Sequence, residues 1–89
     1  MQDVYPKLAQ AYQEKKKWPE AITWYRKATQ TDPQNGQAWL NLGWALFEKK
    51  QIEESIDAFQ HFLAVNTDPK QKKQIEDQIY DMKHQSKGE

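Results

Sequence analysis

Few side chains in this chain are of a type and spacing that could do chemistry. His61 and His84 are the only histidines among 89 residues, and there is no cysteine. A metal site needs several ligands at matched spacing, and neither histidine has a second His, a Cys or a suitably placed carboxylate beside it. His61 reads as solvent-exposed on the outer side of a helix, and His84 as exposed in a polar tail. Glu53, Glu54 and Asp57 are carboxylates close together, the raw material of acid–base catalysis. They fall at the start of a helix, where negative charge meets the positive end of the macrodipole, so they read as capping charges. Gly36, Gly43 and Gly88 are isolated and form no phosphate loop. The expectation is a chain that is not an enzyme and uses no metal and no cofactor.

Charge and length narrow the field further. Thirteen basic and thirteen acidic residues are interspersed along the chain, whereas a nucleic-acid surface shows a net basic patch. The cluster Lys15, Lys16 and Lys17 is bracketed by Glu14 and Glu20 and reads as a solvated helix end. No stretch approaches the roughly 20 apolar residues of a membrane span, and the polar N-terminus lacks a secretory apolar region. No nucleic acid and no membrane are expected as partners, and a cytoplasmic location is the default. A chain this short buries only about 60–65% of its unfolded surface, so its stability is expected to be thin. Four Trp, four Tyr and three Phe nevertheless need either a core or a partner.

The elements that must position these rings are helices. Apolar residues recur at spacings of three and four, with no period-two alternation of strand length, which predicts an all-α fold. Trp18-Pro19 starts one helix with Pro at an early position, the run from Asp32 to Gly36 is a loop, and Asp68-Pro69 supplies an N-cap and a first helical residue. Only the break near Lys50-Gln51 lacks Gly or Pro. Five helices are predicted, at about 3–16, 18–31, 36–49, 52–65 and 69–84. Their short connections force neighbouring helices into antiparallel pairs.

Sliding the chain by 34 residues superposes it on itself. Tyr5 falls on Trp39, Leu8 on Leu42, Ala9 on Gly43 and Tyr12 on Leu46. Further on, Trp18 falls on Ile52, Ala21 on Ser55, Ile22 on Ile56, Tyr25 on Phe59 and Ala28 on Phe62. Large positions stay large and small ones mostly stay small. This predicts one domain, 1–89, with a repeat at 2–35, a second at 36–69, a capping helix at 69–84 and a frayed tail at 85–89.

The pattern resembles the tetratricopeptide repeat. The first copy carries Tyr5, Leu8-Ala9, Tyr12, Ala21, Tyr25, Ala28 and Pro33, and the second Trp39, Leu42-Gly43, Leu46, Ser55, Phe59 and Phe62. Two departures stand out: Phe62 occupies a normally small site, and Pro69 arrives two residues late. Small residues let two antiparallel helices approach closely, and large ones fill the space left over. Phe62 is therefore expected either to splay the end of the second pair or, the favoured account, to fill a gap left by a missing next repeat. The last helix carries a narrow stripe of Ile75, Ile79 and Met82 on an otherwise polar surface, as a solvating cap does. Two repeats plus a cap are marginal for such an array, which leaves a longer array or self-association as ways to gain stability.

Residues 38–47 are too apolar for one stripe. On a wheel of about 100° per residue, Leu42, Gly43 and Leu46 lie within roughly 60° of Trp39, while Leu40, Trp44 and Phe47 form a second stripe at roughly 80–140°. Their counterparts in the first helix are Pro6, Gln10 and Gln13, so the repeat does not demand the second stripe. The resemblance implies that these positions line a concave, partner-binding groove. It would present Asp3, Pro6, Lys7, Gln10, Gln13 and Glu14, then Gln37, Leu40, Asn41, Trp44, Phe47 and Glu48, with Tyr80 from the last helix. One subfamily grips the C-terminal carboxylate of chaperones with Lys and Asn. Here Pro6 and Gln10 stand at two of those places and only Asn41 matches, so a more apolar ligand is expected, an amphipathic helix or an extended segment with aliphatic anchors. The function implied is non-catalytic protein–protein interaction, a scaffold role, with an unidentified protein or peptide bound chiefly by Lys7, Gln10, Leu40, Asn41, Trp44, Phe47 and Tyr80. The alternatives are a homo-oligomer built through Leu40, Trp44 and Phe47, or cover of that stripe by the last helix.

Overall fold

A computed structural model describes residues 4–87, with side chains described for 4–84. It is all-α: α1 spans Val4–Glu14, α2 Trp18–Thr31, α3 Gly36–Glu48, α4 Ile52–Val65 and α5 Pro69–Lys87. Each helix packs on the next in chain order, giving the expected succession of antiparallel helix-turn-helix units. The helix ends follow local chemistry. Asn35 caps α3 by accepting from the Ala38 amide at 3.2 Å, Pro19 sits in the first turn of α2, and Asp68 caps α5 by accepting from the Lys70 amide at 3.0 Å. The expected tail at 85–89 is helical as far as Lys87, and its last two residues lie outside those described.

The α1 helix stops two residues short of the expected 16, and α3 one short of 49, for one shared reason. Lys16 and Lys50, 34 residues apart, both take the left-handed conformation, at φ 59° and 65°. The amide after each turns back to the third-last helical carbonyl, Lys17 to Tyr12 and Gln51 to Leu46, both at 2.9 Å. This is the Schellman closure, in which glycine is the favoured residue. The break without Gly or Pro is thus made by a lysine held in a glycine conformation.

The core has two parts. Ala9, Ala21, Ile22, Tyr25, Leu42, Ala45, Leu46 and Ala58 tie α1 to α4, with Tyr12, Trp18, Trp24 and Trp39 around them. Phe59, Phe62, Ile75, Ile79 and Met82 join α4 to α5. Buried Tyr25 donates to Gln13 Oε1 at 2.6 Å, and burial raises its phenol pKa, so it stays a neutral donor. The small positions lie where helices come closest: Ala9, Ala21 and Ser55 are fully enclosed. Ser55 Oγ donates to the Gly43 carbonyl at 2.7 Å, which ties α4 to α3 and satisfies a hydroxyl that would be costly to bury alone. Phe62 is buried in the cluster that α4 forms with α5, and its ring also lies beside Gly36 at the start of α3.

Two outcomes test this packing. A Cβ on Gly43 would lie 2.5 Å from Phe59 Cδ1 and Cε1, in a ring with no exposed surface. Gly43→Ala is expected to lower unfolding free energy by about 1–3 kcal/mol despite its better helix propensity, read from urea denaturation. Lys50→Gly should do the opposite, raising it by about 0.5–1 kcal/mol by relieving the left-handed strain; a loss of stability would contradict the closure described.

Candidate partner-binding face

The surplus stripe of α3 is divided by α5. Leu40 and Phe47 are half-buried against the cluster that α5 forms with α4. Trp44 is the most exposed of the three at 37%. Its ring meets Phe59 edge-on at 5.0 Å and Phe47 at 5.9 Å, which fixes its base in the core while its outer face meets solvent. Leu40 and Phe47 are therefore covered in part by the α4–α5 cluster, and Trp44 least.

Between α3 and α5 lies a shallow cleft of about 250 Å³, lined by Leu40, Trp44 and Ile75 and by Gln71, Gln74 and Gln78. The three glutamines stand at i, i+3 and i+7 on one face of α5, and none makes a hydrogen bond within the described protein. An apolar floor beside free amides can take an apolar anchor and, next to it, a peptide backbone, since each amide both donates and accepts. The lining bears no ionised side chain, so nothing in it selects for a charged ligand.

The other expected groove residues do not all join this cleft. Asn41 is half-buried and accepts from Gln37 Nε2 at 3.0 Å, so part of its capacity is used within α3. Lys7 and Gln10 are exposed on α1, away from the cleft lining. Tyr80 is 63% exposed and leans on His84, with ring centroids 4.0 Å apart, outside the cleft. Asp3 lies outside the described residues. The three glutamines of α5 were missed: their helical spacing is readable in the sequence, but their position opposite the α3 stripe is not.

His61 is exposed, and its ring stacks face to face on Trp39 at 4.2 Å while Nδ1 lies 2.9 Å from the Asp57 carbonyl. Trp39 in turn donates from Nε1 to the Pro33 carbonyl at 2.8 Å, locking the loop before α3. Both rings have structural partners. Among the described residues no three His, Cys, Asp or Glu side chains are grouped to hold a metal, and no helix is long and apolar enough to cross a membrane.

An array of antiparallel helical hairpins with a 34-residue period and a shallow face on its first helices defines a helical-repeat interaction protein. The family comparison agrees: a TPR repeat profile matches residues 9–50 and a tetratricopeptide repeat profile matches 36–69. The chain belongs to the tetratricopeptide repeat family, whose repeats are generally protein–protein interaction modules and typically non-catalytic. No curated protein matches it.

If Trp44 is surface rather than framework, its removal should be tolerated. Trp44→Ala is expected to cost about 1–2 kcal/mol, the edge-on contacts with Phe47 and Phe59. Phe59→Ala should cost about 3–5 kcal/mol. Equal losses in parallel denaturation curves would place Trp44 in the core.

Proposed function

We propose that the chain is a non-catalytic interaction module that takes a peptide or helical segment of a partner protein in its concave groove, with the α3–α5 cleft as anchor site. One observation carries this reading: Trp44, exposed beside Leu40 and Ile75, faces three unengaged glutamine amides. The anchor of the ligand would be an aliphatic or aromatic side chain against Trp44 and Leu40, with its backbone on the amides. Phe47 backs the anchor, Lys7, Gln10 and Asn41 would extend the contact along the first helices, and Tyr80 would touch a longer ligand. On this reading the repeats 2–35 and 36–69 and the cap at 69–84 act as one domain. Self-association through the stripe is the weaker alternative, because Leu40 and Phe47 are already half-buried against the cluster of α4 and α5 side chains.

Selection from a displayed peptide library, on wild type and on Trp44→Glu, tests the reading. Peptides with an uncharged apolar anchor should be enriched on wild type and lost on Trp44→Glu, with circular dichroism showing both folded. Equal retention by the two proteins would sink it. Sedimentation over a concentration series decides the alternative, which predicts dimers that Trp44→Glu dissociates.

A further inference from the structure

Asn35 and Gly36 are each set by packing, and side by side they form a reactive pair. Asn35 caps α3: its Oδ1 accepts from the Ala38 amide at 3.2 Å, and its carbonyl accepts from the amides of Ala38 and Trp39. Gly36 opens the helix against the end of α4, where a Cβ would lie 3.3 Å from Val65 Cγ2 and 3.5 Å from Phe62 Cδ1. Its φ is not positive, so close approach rather than backbone freedom calls for glycine here. A cap that favours asparagine, next to a contact that favours glycine, yields an Asn-Gly pair.

An asparagine before glycine is reactive because no side chain shields the next amide nitrogen. That nitrogen attacks Asn35 Cγ: the N–Cγ bond forms, the Cγ–Nδ2 bond breaks, and ammonia leaves with the amide proton. Water then opens the cyclic imide at either carbonyl. The product is an aspartate or an isoaspartate, whose backbone runs through the former side chain. The Gly36 amide makes no hydrogen bond within the described protein, so no acceptor occupies it. At ψ 94°, however, the Gly36 nitrogen lies nearly opposite Asn35 Cβ about the Cα–C bond, out of reach of Cγ. Attack requires rotation about that bond, which breaks the cap. The loop resists the rotation. The Asn35 amide donates to the Asp32 carbonyl at 3.0 Å, and the Trp39 indole donates to the Pro33 carbonyl at 2.8 Å beneath the stacked His61 ring. We propose that Asn35 is a deamidation site held in check by this clasp, its rate set by local opening of the first turn of α3. Aspartate at this position keeps the cap and adds negative charge at the helix N-terminus, whereas isoaspartate lengthens the backbone and loses the cap. The site is separate from the α3–α5 cleft.

The test incubates the full chain at mildly alkaline pH, where the amide nitrogen loses its proton more readily. After brief digestion, the tryptic peptide Ala28–Lys49 is followed by mass spectrometry. That peptide also holds Asn41, followed by Leu42 inside α3, as an internal control. Conversion at Asn35 should be at least about tenfold faster in urea than in the folded chain, the combined value of a cap and one hydrogen bond. Trp39→Phe and His61→Ala, both shown folded by circular dichroism, should speed it about 2–10-fold, the value of one hydrogen bond or one ring pair. Ile79→Val, on α5 and outside the loop, lowers global stability by a comparable amount and should leave the folded rate unchanged. The isoaspartyl product, separated by chromatography, should unfold at lower urea than Asn35→Asp. Equal rates in the folded and unfolded chain, unchanged rates in both clasp variants, equal acceleration by Ile79→Val, or equal conversion of Asn41 would overturn the proposal.

Discussion

The close approach of α3 and α4 at Gly43 is the contact on which the rest of the molecule depends. With no side chain at Gly43, the Phe59 ring lies against the α3 backbone, and Ser55 bonds the Gly43 carbonyl from the same side. Two constraints, steric and polar, thereby fix the same helix pair at the same place. Such redundancy matters in a small domain, where a single contact would not hold two helices in register. Phe59 then transmits this position outward. Its other neighbour is the edge of Trp44, so the tilt of the exposed indole is set by a core ring that a missing Cβ admits.

The second pair of helices differs from the first because Phe62 replaces a small residue. In place of another close helix, α4 presents a large ring, and α5 meets it with Ile75, Ile79 and Met82. The Met82 sulfur lies 3.9 Å from Ser55 Oγ, so the cap helix reaches the same serine that ties α3 to α4. Placed this way, α5 does more than shield the array end. Leu40 and Phe47 are half-buried against the cluster it forms with α4, and its glutamines line the cleft with Leu40 and the exposed Trp44. The cleft therefore follows from the large residue that breaks the repeat pattern.

Much of this was legible in the sequence because the signals were local or periodic. Helical spacing, Pro19, Asn35 and Asp68 set the helix positions to within two residues at most ends, and the 34-residue period placed the small contact sites. Apart from α5, which runs on to Lys87, the boundaries that shifted did so at Lys16 and Lys50, whose left-handed backbone is unusual for lysine and leaves no mark in residue type. The Trp39–His61 stack and the Arg26–Glu54 pair span 22 and 28 residues between exposed or half-exposed partners. No spacing rule foretells them, since they depend on how two helices cross. For the candidate site, α3 could be read alone and its two stripes separated. The α5 side of the cleft could not, because its position rests on how Phe62 is accommodated.

Near-repetition also supplies an internal control for burial. Where twins are both small and both buried, as with Ala9 and Gly43, the position serves the hairpin itself. Where type changes and exposure persists, as from Gln10 to Trp44, the hairpin does not require the new residue, and its apolar surface must find another use or stay wet. In the third case the apolar type is kept and the cover among the described residues is less, as from Leu42 to Leu8. An exposed apolar side chain taken singly means little on a protein surface. Set against a buried twin it acquires a reference state, because the same chain shows what that side chain does when a helix lies over it. On that comparison Trp44 is an addition to one unit, whereas Val4, Leu8 and Ala11 keep apolar types that their twins bury.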